Sequence, residues 1–204
     1  MKPTEIAASY DALADHWASD RFPADNGIEQ HKKAIAFSTG SGVALNIGCG
    51  SSGRIEKLLL KAGFSVHAID ISERMLALAR PRCEQATYEY ADITTWCFPH
   101  RYDFITAWDS IWHLGIEGQK PVLRKIAEGL KEGGIFIFTT GAVDQPTEHT
   151  DTCMGQKLFY GVLGIPGLLA LLQDCGLILR HFEYDQYPEK HLYLVVQKAL
   201  PSPN

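Results

Sequence analysis

The chain has 204 residues, 46% of them hydrophobic and 21% charged, and a formal net charge of −5 at pH 7. That length suits one domain with a small extension and leaves no room for two full domains. A net negative chain with no long basic run lacks the face a phosphate backbone requires, which argues against nucleic acid as the main partner.

In chain order, the first segment carries no apolar run of the secretory type. Ile6, Tyr10, Leu13 and Trp17 recur at three- and four-residue intervals, the spacing of one helical face. A second short helix is expected over Ile28 to Phe37, and 39–42 (Thr-Gly-Ser-Gly) reads as a turn. Residues 1–40 thus form a helical cap. Over 41–200 the pattern changes to alternating strands and helices. Strands are expected at Val43 to Ile47, Phe64 to Ile69, Thr87 to Tyr90, Asp103 to Ala107 and Ile135 to Thr139. Helix faces lie between them at Ile55, Leu58 and Leu59, at Met75, Leu76 and Ala79 after a Ser72 cap, and at Val122, Ile126 and Leu130.

Asp144 to Tyr160 reads as a long irregular loop, either a lid or a mobile surface segment. The most apolar stretch, Leu158 to Leu172, is broken by three glycines and a proline and is shorter than the ~20 residues of a membrane span. Leu168 to Leu172 is expected to be helical. Two last strands, Leu177 to Tyr184 and His191 to Lys198, form an antiparallel hairpin. The fold class is therefore α/β: a doubly wound, Rossmann-like, mostly parallel seven-stranded sheet with a C-terminal hairpin. Its ligand site should lie at the carboxyl ends of the strands. Five cysteines without a CxxC pair fit a reducing, cytoplasmic setting.

The motif Asn46-Ile47-Gly48-Cys49-Gly50-Ser51-Ser52-Gly53 runs from a strand into a helix, where glycines admit a ligand close to free N–H groups. Asp70 closes the next strand and can accept hydrogen bonds from both hydroxyls of a ribose. That much serves a nicotinamide cofactor equally well. Asp92, after the third strand, suits an adenine amino group. Together LNIGCGSSG, HAIDIS followed by Met75, YADI, YDFITAWDS and LKEGGIFIFTT resemble the class I S-adenosylmethionine-dependent methyltransferases along nearly the whole chain. The resemblance implies that Gly48, Cys49 and Gly50 lie against the methionine portion and that Asp70 holds the ribose. It further implies that Ile71 and Met75 flank the adenine, with Asp92 and Ile93 at its edge. Asn46 departs from the acid usual in the family, which weakens a contact to the cofactor ammonium. Tyr10, Trp17 and Arg21 resemble the lid of small-molecule members.

An activated methyl needs an in-line acceptor and a dry pocket rather than a covalent nucleophile. The segment Trp108-Asp109-Ser110-Ile111-Trp112-His113-Leu114 is expected to line that pocket, with Trp108 beside the cofactor and Trp112 beside the substrate. On a helix Asp109 and His113 share a face, so His113 could act as general base oriented by Asp109. Capping or backbone hydrogen bonding is its plainer role. His149 and Tyr160 in the long loop, and Tyr184 near the hairpin tip, are further candidate substrate contacts, although the tip also reads as a solvated turn. No metal site is expected, since neither His149 with Asp151 nor His31 shows ligand spacing. The leading reading is methyl transfer from S-adenosylmethionine to a small molecule, leaving S-adenosylhomocysteine. A nicotinamide-dependent oxidoreductase and a non-catalytic cofactor-binding module are the alternatives.

Overall fold

The computed structural model describes residues 2–19 and 23–200; Arg21, one of the expected lid residues, lies outside them. Two N-terminal helices, α1 (Pro3–Trp17) and α2 (Ile28–Ile35), precede a regular alternation. It runs β1 (Gly42–Ile47), α3 (Arg54–Lys61), β2 (Phe64–Asp70), α4 (Glu73–Ala79), β3 (Thr87–Tyr90), β4 (Tyr102–Ala107), α5 (Ile116–Gly129) and β5 (Leu130–Gly141). Then come β6 (Thr147–Cys153), β7 (Gln156–Val162), α6 (Ile165–Asp174), β8 (Leu177–Glu183) and β9 (His191–Lys198).

Seven strands form one sheet in the order β3-β2-β1-β4-β5-β9-β8. The first five are parallel, while β9 runs antiparallel to β5 and β8 antiparallel to β9. The doubly wound sheet and the terminal hairpin expected from the sequence are both present. Strand order reverses between β1 and β4, so the loops leaving their carboxyl ends diverge and open a crevice there.

Period-two alternation explains the three layers. Leu45, Ile47, Ile105, Phe136, Phe138, Leu192 and Leu194 point to one face, where α5 and α6 supply Val122, Leu123, Ile126, Leu168 and Leu172. Ala44, Phe104, Ile135, Ile137, Tyr193 and Val195 point to the other, covered by Ala34, Ile55, Leu59 and Leu76 from α2, α3 and α4. His31 of α2 is fully buried on that second face. Its Nδ1 lies 2.6 Å from the Gly27 carbonyl and its Nε2 2.8 Å from the Thr106 hydroxyl. Burial lowers its pKa to about 4, so it is a neutral core histidine with both ring nitrogens engaged.

The segment 144–160 is not the irregular loop expected from its polarity. β6 and β7 pair antiparallel as a separate two-stranded sheet. Met154 and Gly155 both take positive φ, 49° and 80°, as a two-residue hairpin turn that follows the strands' twist requires. The hairpin is moored on three sides. Ser9 Oγ of α1 donates to the Lys157 carbonyl, the Ile116 amide to Glu148 Oε1, and Gln119 Nε2 to the Gly161 carbonyl.

Phe136 and Phe138 stack at 4.6 Å with their planes 9° apart, both buried in the core. Phe138→Ala should cost about 3–5 kcal/mol through lost burial and a residual cavity, measured by urea unfolding. A loss under 1 kcal/mol would mean that this face of the sheet is not tightly packed.

Candidate active site

At the strand-order reversal the chain forms a cleft lined from three directions. The β1–α3 loop supplies Gly48, Cys49, Gly50 and Ser51, and the start of α3 adds Arg54. From the ends of β2 and β3 come Asp70, Ile71, Asp92 and Ile93, with Met75 of α4 between them. The segment after β4 contributes Trp108, Asp109, Ser110, Ile111, His113 and Leu114. Over the top lies α1, through Ile6, Tyr10 and Trp17. Thus 13 positions singled out in the sequence line one cavity: Tyr10, Trp17, Gly48, Cys49, Gly50, Asp70, Ile71, Met75, Asp92, Ile93, Trp108, Asp109 and His113.

Backbone geometry keeps the glycine loop open. Gly48 has φ 69°, and a Cβ there would stand 2.4 Å from Ser110 Cβ, too close for any other residue. Gly50 has φ 63° and borders open space. Asp70 braces this loop: its Oδ2 accepts the Gly50 amide at 2.8 Å and its Oδ1 the Ser72 amide at 2.9 Å. Burial outweighs these donors and raises its pKa to about 6. Each carboxylate oxygen retains a second lone pair for a ligand hydroxyl. Asp92 holds its turn through Oδ1, which accepts from the Thr94 amide and hydroxyl.

Asn46 does not line the cleft, contrary to its expected place beside the cofactor. Alternation along β1 sends Ala44 and Asn46 to the face that α3 covers. There Asn46 Nδ2 donates to Glu56 Oε1 at 2.7 Å, both residues being 1% exposed. Burial raises the Glu56 pKa. This paired carboxyl went unnoticed in the sequence, where Glu56 is one acid on a helix of mixed charge.

The expected pairing of Asp109 with His113 is also corrected. Asp109 has φ 52°, uncommon for a residue with a side chain, and the chain makes only a short 3₁₀ turn at Ile111–His113. Without a helix the two side chains part. His113 Nδ1 lies 2.7 Å from the Phe159 carbonyl of β7, which places its proton on Nδ1 and leaves Nε2 as acceptor. Tyr10 Oη donates to Nε2 at 2.6 Å and Trp112 Nε1 to the same atom at 3.2 Å. Burial lowers the His113 pKa to about 4, so the ring is neutral. Asp109 Oδ1 meets His191 Nε2 instead, at 3.0 Å.

Of the expected substrate contacts, Trp112, His149 and Tyr160 do not border the cleft itself; they form an aromatic group behind His113. Tyr160 lies 5.0 Å from the His113 ring, 5.9 Å from Trp112 and 5.2 Å from His149, centroid to centroid. Tyr184 is 46% exposed and meets Phe182 edge-on. It therefore lies at the surface, away from the cleft lining. Arg54 was missed because a single arginine at a helix start carries no motif. Among the described residues no group of three or more histidine, cysteine or acidic side chains could hold a metal ion.

Residues 44–134 match the family model described as a methyltransferase domain. A phosphoethanolamine N-methyltransferase of Plasmodium falciparum is 29% identical over 127 residues, 59% of this chain and 47% of that enzyme. An uncharacterized methyltransferase of Bacillus cytotoxicus is 28% identical over 153 residues, 69% of this chain and 71% of its own. The chain therefore spans less than half the length of the Plasmodium relative. Among solved structures, the DhpI complex with SAH superposes with a TM-score of 0.74 at 15% identity, covering 97% of both chains. The CcbJ methyltransferase from Streptomyces caelestis gives 0.72 at 19% identity, over 98% of this chain and 100% of that one. The central segment thus matches a methyltransferase domain, and the fold around it is the one that S-adenosylmethionine-dependent methyltransferases of known structure share. The cleft fits that cofactor: open glycine backbone, an acid at the end of β2, apolar walls at Ile71, Met75 and Ile93, and a second acid at Asp92.

Replacing the buried amide tests the wall beneath the loop. Asn46→Asp sets a second carboxyl against Glu56, and each would have its pKa raised above the unfolded value. Folding then takes up a proton, so stability is retained at low pH and falls as pH rises through the folded values. Unfolding at pH 8 should show a loss of about 2–4 kcal/mol, shrinking toward pH 5. A loss independent of pH would show that the two groups do not share a proton.

Proposed function

We propose that the chain transfers a methyl group from S-adenosylmethionine to a nucleophilic atom of a small molecule, releasing S-adenosylhomocysteine. The observation that carries this reading is the single cleft in which the cofactor-type residues of β1, β2 and β3 meet Tyr10, Asp109 and His113. In it, Asp70 would accept from the ribose hydroxyls, Asp92 would meet the adenine edge, and Ile71, Met75 and Ile93 would pack on the base. Gly48, Cys49 and Gly50 would follow the amino-acid portion. When bound, the cofactor supplies a methyl group already activated by positively charged sulfur.

The chain's own part is to orient the acceptor, exclude water and receive a proton. An acceptor N–H or O–H that gains a methyl must lose its proton. Tyr10 Oη can take that proton while its own passes to His113 Nε2, along the 2.6 Å hydrogen bond between them. The Phe159 carbonyl holds the Nδ1 proton and steadies the resulting imidazolium. Because burial keeps His113 neutral, it stands ready as acceptor across the neutral range. Tyr10 belongs to α1, so the helix closes the cleft and completes this pair in one movement. That is the role proposed for residues 1–40 as a lid on the domain 41–200, and Trp17 serves it too. Trp108, packed beside Asn26, would wall the donor end, while Trp112, Tyr160 and His149 back the acceptor end.

A small acceptor suits a cleft roofed by a helix and walled by aromatic rings. The name of the Plasmodium relative points to a substituted amine as one such acceptor. No helix of the described residues is long and apolar enough to cross a membrane. The five free cysteines fit a reducing, cytoplasmic setting, and the net charge of −5 disfavours a nucleic-acid partner. The Tyr10–His113 arrangement favours catalysis over a purely cofactor-binding module, and the methyltransferase domain match favours it over a nicotinamide oxidoreductase.

Incubation with methyl-labelled S-adenosylmethionine and a metabolite extract should yield a labelled small product. Tyr10→Phe and His113→Gln should each slow its formation about 10²–10⁴-fold. Calorimetry should show S-adenosylhomocysteine binding that weakens below pH 6, as Asp70 takes up a proton and loses an acceptor lone pair. Binding without any labelled product would favour the non-catalytic module, and heat with NAD alone would favour the oxidoreductase.

A further inference from the structure

The described histidines include one whose two ring nitrogens both face carboxylates. His191, at the start of β9, places Nε2 3.0 Å from Asp109 Oδ1 and Nδ1 2.5 Å from Asp185 Oδ1. Side-chain exposure is 9% for His191, 3% for Asp185 and 32% for Asp109. The chain of contacts continues outward, since Gln30 Nε2 of α2 donates to Asp185 Oδ2 at 3.0 Å. It ends inward at the cleft, which Asp109 lines.

Proton counting constrains this group. An ionised carboxylate only accepts, and a neutral imidazole has one N–H. Two carboxylates on opposite ring nitrogens therefore require an additional proton, and imidazolium between two carboxylates supplies it with both hydrogen bonds charge-assisted. The backbone is arranged for the same end. Asp109 is held at φ 52°, its amide donating to the buried hydroxyl of Thr139 at 2.8 Å. The rings of Trp108 and Trp112 pack on His191 at 5.8 and 5.5 Å. Strain of this kind persists where surroundings over-determine it, and clusters at functional sites.

We propose that Asp185, His191 and Asp109 form a relay in which a doubly protonated His191 fixes the Asp109 carboxylate at the cleft, where Asp109 Oδ2 binds the polar or cationic group at the reacting end. Asp109 is the residue that touches the ligand. His191 and Asp185 are positioning residues that act through it. The inference rests on the methyltransferase reading and adds to it a fixed negative group at the acceptor end. Asp109 also faces Tyr10, His113, Tyr160, His31 and Arg54 electrostatically. His113 and His31 are kept neutral by burial, and Arg54 is engaged with Asn26 and Ser52. The titratable groups facing His191 are Asp109 and Asp185, which together raise its pKa to about 9 against burial. The relay therefore holds its proton at neutral pH and loses it as pH rises through about 9.

The test needs no known acceptor. Protein labelled with ¹⁵N-histidine is titrated by NMR, and His191 is assigned by its loss in His191→Gln. In the unmodified protein both His191 ring nitrogens should stay protonated through pH 7.5. Asp185→Asn, which removes one carboxylate, should move the deprotonation midpoint down by about one pH unit or more. In parallel, calorimetry compares S-adenosylhomocysteine with sinefungin, the analogue carrying an amine in place of the methyl sulfonium. Asp109→Asn should lower the sinefungin preference over S-adenosylhomocysteine about tenfold, and Asp185→Asn should lower it part of the way. A neutral His191 at pH 7.5 in protein that binds S-adenosylhomocysteine would overturn the relay alone. So would a sinefungin preference indifferent to both substitutions. Protein that bound neither compound would overturn the relay together with the methyltransferase reading beneath it.

Discussion

The site depends on one close approach, between the turn after β1 and the turn after β4. Gly48 and Ser110 meet there with no room for a Cβ, and Ser110 Oγ donates to the Ile47 carbonyl at 2.9 Å. This contact ties the two loops at the point where strand order reverses. The cofactor-type residues of β1 to β3 and the reacting-end residues after β4 consequently share one cleft. Were the loops apart, Asp70 and Asp109 would belong to separate surfaces.

Around that contact, groups distant in sequence are brought in by hydrogen bonds rather than by the sheet. α1 brings Tyr10 to His113, and Asp11 Oδ1 of the same helix accepts from the Ser72 hydroxyl. β7 brings the Phe159 carbonyl to the other side of His113. β9 and the preceding loop bring His191 and Asp185 to Asp109. Each of these contacts joins a polar group to a partner at least partly shielded from water, where hydrogen bonds gain strength and unpaired groups cost more. The reacting end is thus fixed from three separate parts of the chain.

The fold was legible because its signals are local and repeated. Alternating apolar runs in β1, β4, β5 and β9 gave the strands, glycine at positions 48, 50 and 53 gave the loop, and Ser72 gave the start of α4 through its side-chain bond to the Met75 amide. Asp70 and Asp92 were legible for the same reason, since each follows a strand end in the sheet's order. What escaped was set by tertiary context. β6 exposes Thr147 to Thr152 along both faces, so it has no alternation to read, and only the paired positive φ at Met154 and Gly155 defines its hairpin. Helical spacing joined Asp109 to His113, but a left-handed residue at 109 broke the helix before it began. The partner of Asp109 instead lies 82 positions away at His191, a distance no local pattern spans. Asn46 was placed in the cleft by its nearness to Gly48 in sequence, whereas strand alternation turns it toward Glu56.

A crystal structure of the protein with S-adenosylhomocysteine decides whether the cleft is the cofactor site. The compound should lie in the cleft beside Gly48 and Gly50. Its ribose hydroxyls should fall within hydrogen-bond distance of Asp70, its base edge at Asp92 and its sulfur toward Asp109 and Tyr10. An empty glycine loop, or a nucleoside bound with its sugar turned away from Asp70, would contradict this placement.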